Sequence, residues 1–396
     1  MAFREAERSS ALFVHRFLFR LALGAGNIFA WIVVFRVFFI ETQNLEIALA
    51  GVASLYALSH AVTFLLTPLT GMALRRGVRR ALMLSTLFAA FSFALLATLF
   101  LEPYSSEHMF GIVGTFAVAI GIYRALYWIP YKMAEAEAER SPRILAREAL
   151  VALMPAAAGF VAASLEHGPM LFFSGVAVLI ALSAFALLQF PEMYEPFEWS
   201  YTDTLRELTA RRNNLAVGLF ILDGIQGAAL LLVWPLAAFL VLGESFQSLG
   251  AVLTATLCIA FLGRYLVRHF LRSLRVDRSP RVLATIVFSS WIARLAAGTP
   301  VQLLAVDLFY NSGTAPRRFS IDTYSAEQTA DGGHFVDEYT AIKEMGLSVG
   351  RIAASLLFII LLLTTAESLA FAAIIITAAV AAAWSVFLAH RLQKVM

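Results

Sequence analysis

Arg124, Tyr127, Trp128 and Tyr131 recur at i, i+3, i+4 and i+7, the spacing that sets four side chains on one face of a helix. A guanidinium beside three amphipathic rings is suited to holding an anionic or aromatic solute; the alternative is a salt bridge to a neighbouring helix surrounded by core aromatics. Asp223, with Gln226 and Trp234 on its face, lies at a similar depth in its own apolar run. Burial favours the neutral form of a carboxylate and an adjacent guanidinium the charged form. An Arg124–Asp223 pair meeting across a cavity would therefore couple solute movement to a proton, or else hold two parts of the chain in one static state. Asp307, Tyr310, Asn311 and Thr314 make another polar face, with Arg294 near enough in sequence to be a local partner. Tyr56, His60, Thr63 and Thr67 share a face; His60 is either a proton relay near neutral pH or a hydrogen-bonding partner for a neighbour. Gly24, Asn27 and Trp31 serve helix packing or binding.

Arg147-Glu148 and Lys343-Glu344 are related by a shift of 196 residues. Crossed pairs, Arg147 with Glu344 and Lys343 with Glu148, would form a reversible cytoplasmic gate. Glu344, Ser348, Arg351 and Ser355 continue from it as a polar stripe running inward. One cysteine, Cys258, and the absence of CxxC or HxxxH spacing exclude a disulfide framework and the familiar metal centres. Asp331, His334 and Asp337 fall in a polar stretch read as a solvated loop rather than a metal site. No GxxxxGK phosphate loop is present, which argues against an ATP-driven pump. No cofactor is expected, and no catalytic cluster can be placed at one depth, so the chain is not read as an enzyme. A proton or ion gradient is left to supply the energy.

The elements positioning these groups follow from composition. Of 396 residues 60% are hydrophobic and 14% charged, with a mean hydropathy of +0.78, against about 25% charged in soluble domains. A helix crossing the hydrocarbon core needs about 20 mostly apolar residues. Such runs fall near 17–40, 47–73, 81–101, 109–131, 147–166, 170–190, 214–242, 248–268, 281–298, 300–316, 341–363 and 368–390. They are continuous and lack the alternation of a β-barrel. The first is too long for a signal-peptide core and has no small-residue cleavage site.

Orientation follows from the polar breaks, because Lys and Arg stay on the cytoplasmic side. Breaks at 41–46, 102–108, 166–169, 244–248, 298–300 and 364–368 carry no Lys or Arg, whereas the alternate breaks and the termini hold 25 of the 30 basic residues. Both termini are accordingly cytoplasmic. The net charge of +3 reflects topology and implies no nucleic-acid partner. Arg20, Arg36, Arg124, Arg294 and Arg351 fall within spans, where a charge costs about 2.5–3.5 kcal/mol on insertion scales.

The polar stretch 191–213 divides the runs six and six, and its Thr202–Arg212 part suits a helix on the membrane surface. A shift of 203 residues brings Trp31 onto Trp234, Glu41 onto Glu244 and Gly24 onto Gly227, the order expected of an internal repeat. The domains are then an N-terminal six-helix bundle (1–190), a cytoplasmic linker with an amphipathic helix (191–213) and a C-terminal six-helix bundle (214–396).

Twelve spans in two halves with internal termini resemble the major facilitator superfamily of secondary transporters. Its G-x-x-x-D-R-x-G-R-R/K loop is similar to Gly71-Met-Ala-Leu-Arg75-Arg76-Gly77-Val78-Arg79-Arg80, with Arg75 in place of the acid, and to the D-R-x-x-R core at Asp277-Arg278-Ser279-Pro280-Arg281. Met154-Pro155-Ala156-Ala157-Ala158-Gly159 shares the Pro and last Gly of the family's exporter motif. The resemblance implies an all-α membrane protein of 12 transmembrane helices in two pseudo-symmetric bundles, with spans one, four, seven and ten lining a central path. It also implies a monomer in the cytoplasmic (inner) membrane that moves a small organic solute by alternating access with proton coupling. A lipid or amphiphile transporter and a non-transporting receptor or scaffold are the alternatives.

Overall fold

Lipid offers no partners to backbone N–H and C=O groups, so an apolar crossing segment must satisfy them within itself, and these runs form helices. The computed structural model describes residues 2–101, 106–136, 144–194, 197–273, 279–311 and 336–395; the side chains at 2–9, 106, 135–136, 144–148, 262–273, 336 and 393–395 lie outside that description. The described residues are helical with no strand. In order come α1 (Ala2–Thr42), α2 (Leu45–Ala73), α3 (Val78–Thr98), α4 (Ser106–Ala136), α5 (Ile144–Ser164) and α6 (Gly168–Leu187). The short α7 (Tyr201–Thr209) follows, then α8 (Asn214–Ala228), which continues through a π-helical turn (Ala229–Val233) into α9 (Trp234–Val241). Last come α10 (Phe246–Ser273), α11 (Pro280–Ile292), α12 (300–311), α13 (Val336–Thr364) and α14 (Glu367–Val395). Eight helical stretches among the described residues are long and apolar enough to cross a membrane. The runs expected at the fifth and eighth places fall on α5 and α10, whose described side chains cover 149–164 and 246–261, the ninth on the 13-residue α11 with the 3₁₀ turn that follows it, and the tenth on α12. Of the run expected at 300–316, the part beyond residue 311 lies outside the described residues.

Packing follows the expected repeat. Helix α3 packs on α4 and α6, and α2 on α4; on the other side α13 and α14 pack on α8, and α11 on α14. Contact between the first six runs and the last six is carried chiefly by α2 against α13 and α5 against α10. Counted as runs, these are two with eleven and five with eight, and a shift of six converts one pair into the other. Glycines allow the close crossings. A Cβ on Gly159 would strike the Phe246 carbonyl oxygen, one on Gly250 that of Pro155, one on Gly350 that of Ile221, and one on Gly121 that of Ser59.

The basic loop after α2 binds the linker. Arg75 donates from Nε (3.2 Å) and Nη2 (2.6 Å) to the Phe197 carbonyl, and the Phe197 ring is fully buried over Gly71. Glu192 accepts from the Arg79 backbone N–H at 3.0 Å and pairs with the Arg79 and Arg80 guanidiniums at 3.3 and 3.6 Å. The Glu198 backbone N–H donates to Glu338 of α13 at 2.9 Å. The surface helix begins at Ser200, which forms a capping box with Asp203. Hydrogen bonds from Ser200 hold the Asp203 carboxyl below its usual range. The helix stops at Thr209 rather than Arg212, because a 3₁₀ turn at Arg211–Asn213 lets Arg212 pair with Glu207.

Removing the Glu192 charge should loosen this strap. Glu192→Gln is expected to raise tryptic cleavage at Arg206, Arg211 and Arg212 roughly fivefold, about 1 kcal/mol of local opening, with helical content unchanged. Wild-type cleavage rates would show that the ion pairs do not hold the linker.

Candidate functional site

The site forms where α4 lies against α2. Gly121 allows the approach, and the Thr63 hydroxyl donates across it to the Gly121 carbonyl at 3.1 Å. One turn further along α4, Arg124 Nη1 donates to Ser59 Oγ at 2.9 Å and meets His60 Nε2 at 3.3 Å. Its guanidinium sits 5.8 Å from the Tyr56 ring centroid, and the Tyr56 and His60 rings meet edge to face at 4.6 Å. Ser59, His60 and Tyr56 are buried. The α2 face expected from Tyr56, His60, Thr63 and Thr67 is therefore a contact face with α4.

Helix α13 closes the other side. Glu344, Ser348 and Ser355 of its polar stripe are buried, and Arg351 is half-buried. Gly227 of α8 makes room for Arg351: a Cβ there would be 3.2 Å from the guanidinium Nε. His60 lies within electrostatic range of both Arg124 and Arg351. Glu344 is within range of Arg351, Lys343, Lys132 and Arg124, yet makes no ion pair within 4.0 Å with a described residue. Tyr56 Oη, His60 Nδ1, Ser348 Oγ and Arg351 Nε are buried without a hydrogen-bond partner among the described residues. Buried polar groups are overwhelmingly bonded, so a concentration of exceptions on α2 and α13 marks a place built for something other than packing.

The expected α4 face divides. Arg124 turns to α2, whereas Tyr127 is buried against α1, stacked on Phe19 at 4.7 Å with its hydroxyl 3.4 Å from His15 Nε2. Tyr131 stacks on Tyr127 at 5.3 Å, and Trp128 is exposed. Arg124 and Asp223 form no ion pair; the Asp223 carboxylate accepts from Gln226 Nε2, on the next turn of its own helix, at 3.2 Å. Asn27 is half-buried with its Oδ1 unbonded. Asp307 belongs to a separate cluster: it accepts from Arg294 Nη2 at 2.9 Å, both side chains buried, while Asn311 donates to the Asp307 backbone carbonyl at 2.8 Å. Lys343 is half-buried, and the side chains of Arg147 and Glu148 lie outside the described residues, so the crossed gate lies there too. Asp331 and His334 are likewise outside, whereas Asp337, expected in a solvated loop, is buried in the first turn of α13. Ser59 and His15 were not singled out by sequence. The signal for Ser59 was its place beside His60, and for Gly121 its position one turn before Arg124. His15, whose Nδ1 meets the Ser183 carbonyl at 3.1 Å, has no local pattern to mark it.

No protein-family model and no curated protein matches this sequence. Solved structures do. The nucleoside transporter NupG aligns over 98% of this chain and 98% of its own, at 13% identity with a TM-score of 0.59. A peptide transporter (POT) aligns over 98% and 95% at 12% identity, TM-score 0.63. The chain has the major facilitator fold. A D-xylose-proton symporter matches as well, over 95% of this chain and 96% of its own, at 14% identity with a TM-score of 0.59. The α2–α4 contact lies among the first six runs and the α8–α13 contact among the last six, and the polar cluster lies where α2 and α4 pack on α13. The fold is that of a multi-pass membrane protein.

Proposed function

We propose that the protein is a secondary transporter that moves a small organic solute across the cytoplasmic membrane by alternating access, coupled to protons. It works as a monomer with both termini cytoplasmic. Residues 1–190 and 214–396 rock as two bundles joined by the 191–213 linker, with a solute, the lipid bilayer and an ion gradient as partners and no cofactor. One observation carries this reading: four buried polar atoms without a partner among the described residues, Tyr56 Oη, His60 Nδ1, Ser348 Oγ and Arg351 Nε, lie on α2 and α13. These are two of the helices that chiefly carry contact between the first six runs and the last six, at the seam alternating access must open. The three transporters of like fold support it.

Glu344 is the coupling group. It faces Arg124, Lys132 and Tyr123 of α4 and Lys343 and Arg351 of its own helix without being bonded to any of them. Arg124 and Lys132 lie on α4, whereas Lys343 and Arg351 move with Glu344 on α13, so opening the α4–α13 contact takes two cations from the carboxylate and ties proton exchange there to the motion. One elementary charge across the membrane is worth about 2.3 kcal/mol per 100 mV, enough to drive uphill movement.

In liposomes with an imposed pH step, a panel of nucleosides, dipeptides, pentoses and organic acids should yield solute-dependent currents. Glu344→Gln is expected to abolish gradient-driven accumulation, a fall of about tenfold or more, while solute exchange continues. Accumulation at the wild-type level would remove Glu344 from the coupling. Solute binding without current under any gradient would favour the receptor alternative.

A further inference from the structure

We infer that the transported solute carries a carboxylate or phosphate group, held between Arg124 of α4 and Arg351 of α13. This rests on the transporter reading and names its substrate class.

The contrast is internal to the chain. Arg294 is buried with Asp307 at 2.9 Å and with the faces of Trp234, Trp291 and Tyr310 at 4.9, 4.4 and 4.2 Å from its guanidinium carbon. That is how this protein accommodates an arginine that only holds helices together. Arg124 and Arg351 are treated otherwise. Arg124 donates to Ser59 and meets His60; Arg351, like Arg294, has a buried Nε without a hydrogen-bond partner among the described residues, so the difference lies in the missing carboxylate. Neither makes an ion pair with a described residue, although Glu344 is close enough to feel both. A guanidinium inside a membrane bundle is costly and is normally paired or placed in a watery cavity. Two of them, one from α4 against His60 and one from α13 within electrostatic range of the same histidine, present forks of N–H donors that match a carboxylate or phosphate edge.

The neighbouring groups complete the recognition. Ser348 Oγ, Tyr56 Oη and His60 Nδ1 are buried and unbonded, and each can meet an oxygen lone pair that the arginines leave. The two guanidiniums, with Lys132 and Lys343 also in range of the Glu344 carboxylate, leave the cluster net positive, so an anion is favoured there, while an organic cation meets repulsion from both arginines. Because the arginines come from opposite halves, an anion bridging them also draws α4 and α13 together, which ties occupancy to closure.

The test uses the full-length protein in detergent and follows thermal unfolding with millimolar sodium benzoate, sodium succinate or inorganic phosphate. Benzamide and succinamide serve as neutral counterparts, choline chloride as the cation and sodium chloride as the ionic-strength control. At least one of the three anions should raise Tm where its neutral counterpart, choline and chloride do not. Arg124→Gln and Arg351→Gln should each weaken that anion's apparent affinity about ten- to a hundredfold, the range for a hydrogen bond to a charged group; Arg124→Lys should retain part of it. The inference is overturned if none of the three anions raises Tm, if benzamide or choline does as well as benzoate, or if the shift survives both Gln variants. The acid-versus-amide comparison needs only the wild type, so a poorly folded variant does not blunt the test. Anion binding without current in liposomes would sink the transporter reading alone. Current from a neutral solute with no anion effect would sink this inference alone.

Discussion

Asp307→Leu alone should cost the protein a large share of its stability, and adding Arg294→Met should restore most of it. Arg294 is 2% exposed, and its Nε and Nη1 have no hydrogen-bond partner. Asp307 at 2.9 Å is its counter-charge, and the rings of Trp234, Trp291 and Tyr310 supply π faces. Deleting one member of a buried pair leaves an uncompensated charge and costs about 3–5 kcal/mol, whereas replacing both with apolar groups is near neutral. Against a native margin of about 5–15 kcal/mol, the single variant should melt much earlier and accumulate poorly. Thermal unfolding of the purified single and double variants measures both steps. A single variant as stable as wild type, or a double variant less stable than the single, would assign the cluster some other role. Because α9, α11 and α12 all meet at this arginine, the expected coupling role of Asp307 gives way to a proposed structural one.

The second large effect is expected at Gly350. A Cβ there would strike the Ile221 carbonyl oxygen and stand 2.9 Å from the Gly224 Cα. These are backbone atoms and cannot rotate aside as a side chain could. Gly350→Ala must therefore push α13 off α8, costing at least the ~1–3 kcal/mol usual for overpacking. Arg351 is the next residue, so transport should fall further than abundance does. Gly114→Ala is the matched control, because a Cβ there meets nothing within 4 Å. Equal Tm for the two variants would mean that the α8–α13 crossing yields more readily than its geometry implies.

The long apolar runs and their order are legible because a membrane leaves helices as the one economical answer to continuous apolar sequence. The site was legible only in part. Helical periodicity assigns Arg124, Tyr127, Trp128 and Tyr131 to one side, but a side spanning a wide arc touches more than one neighbour, and here α1, α2 and the exterior share it. Nor does periodicity name the partner. Asp223 was matched to Arg124 by depth, yet Gln226 one turn away reaches it first. The π-helical turn at Ala229–Val233 changes the register between Gln226 and Trp234, which a constant period cannot register; such turns recur at functional sites. The arginines of the first basic loop were read as markers of topology. They also bind Glu192 and the Phe197 carbonyl, a long-range pairing that no local pattern announces. Conversely, spacing puts Glu344, Ser348, Arg351 and Ser355 on one face, but it does not say that α2 packs on that helix.

Alternating access is tested most directly at Ser348, fully buried on α13, the helix that packs on α2. Cys258 is the sole cysteine, so Cys258→Ala with Ser348→Cys places one thiol at that point. Sealed vesicles of known orientation are treated with a membrane-impermeant maleimide from one side or the other, with and without a pH gradient. Rocking bundles predict labelling from either side, in proportions that reversing the gradient changes. Labelling from neither side, or from one side alone whatever the gradient, would contradict a site opened alternately to the two compartments.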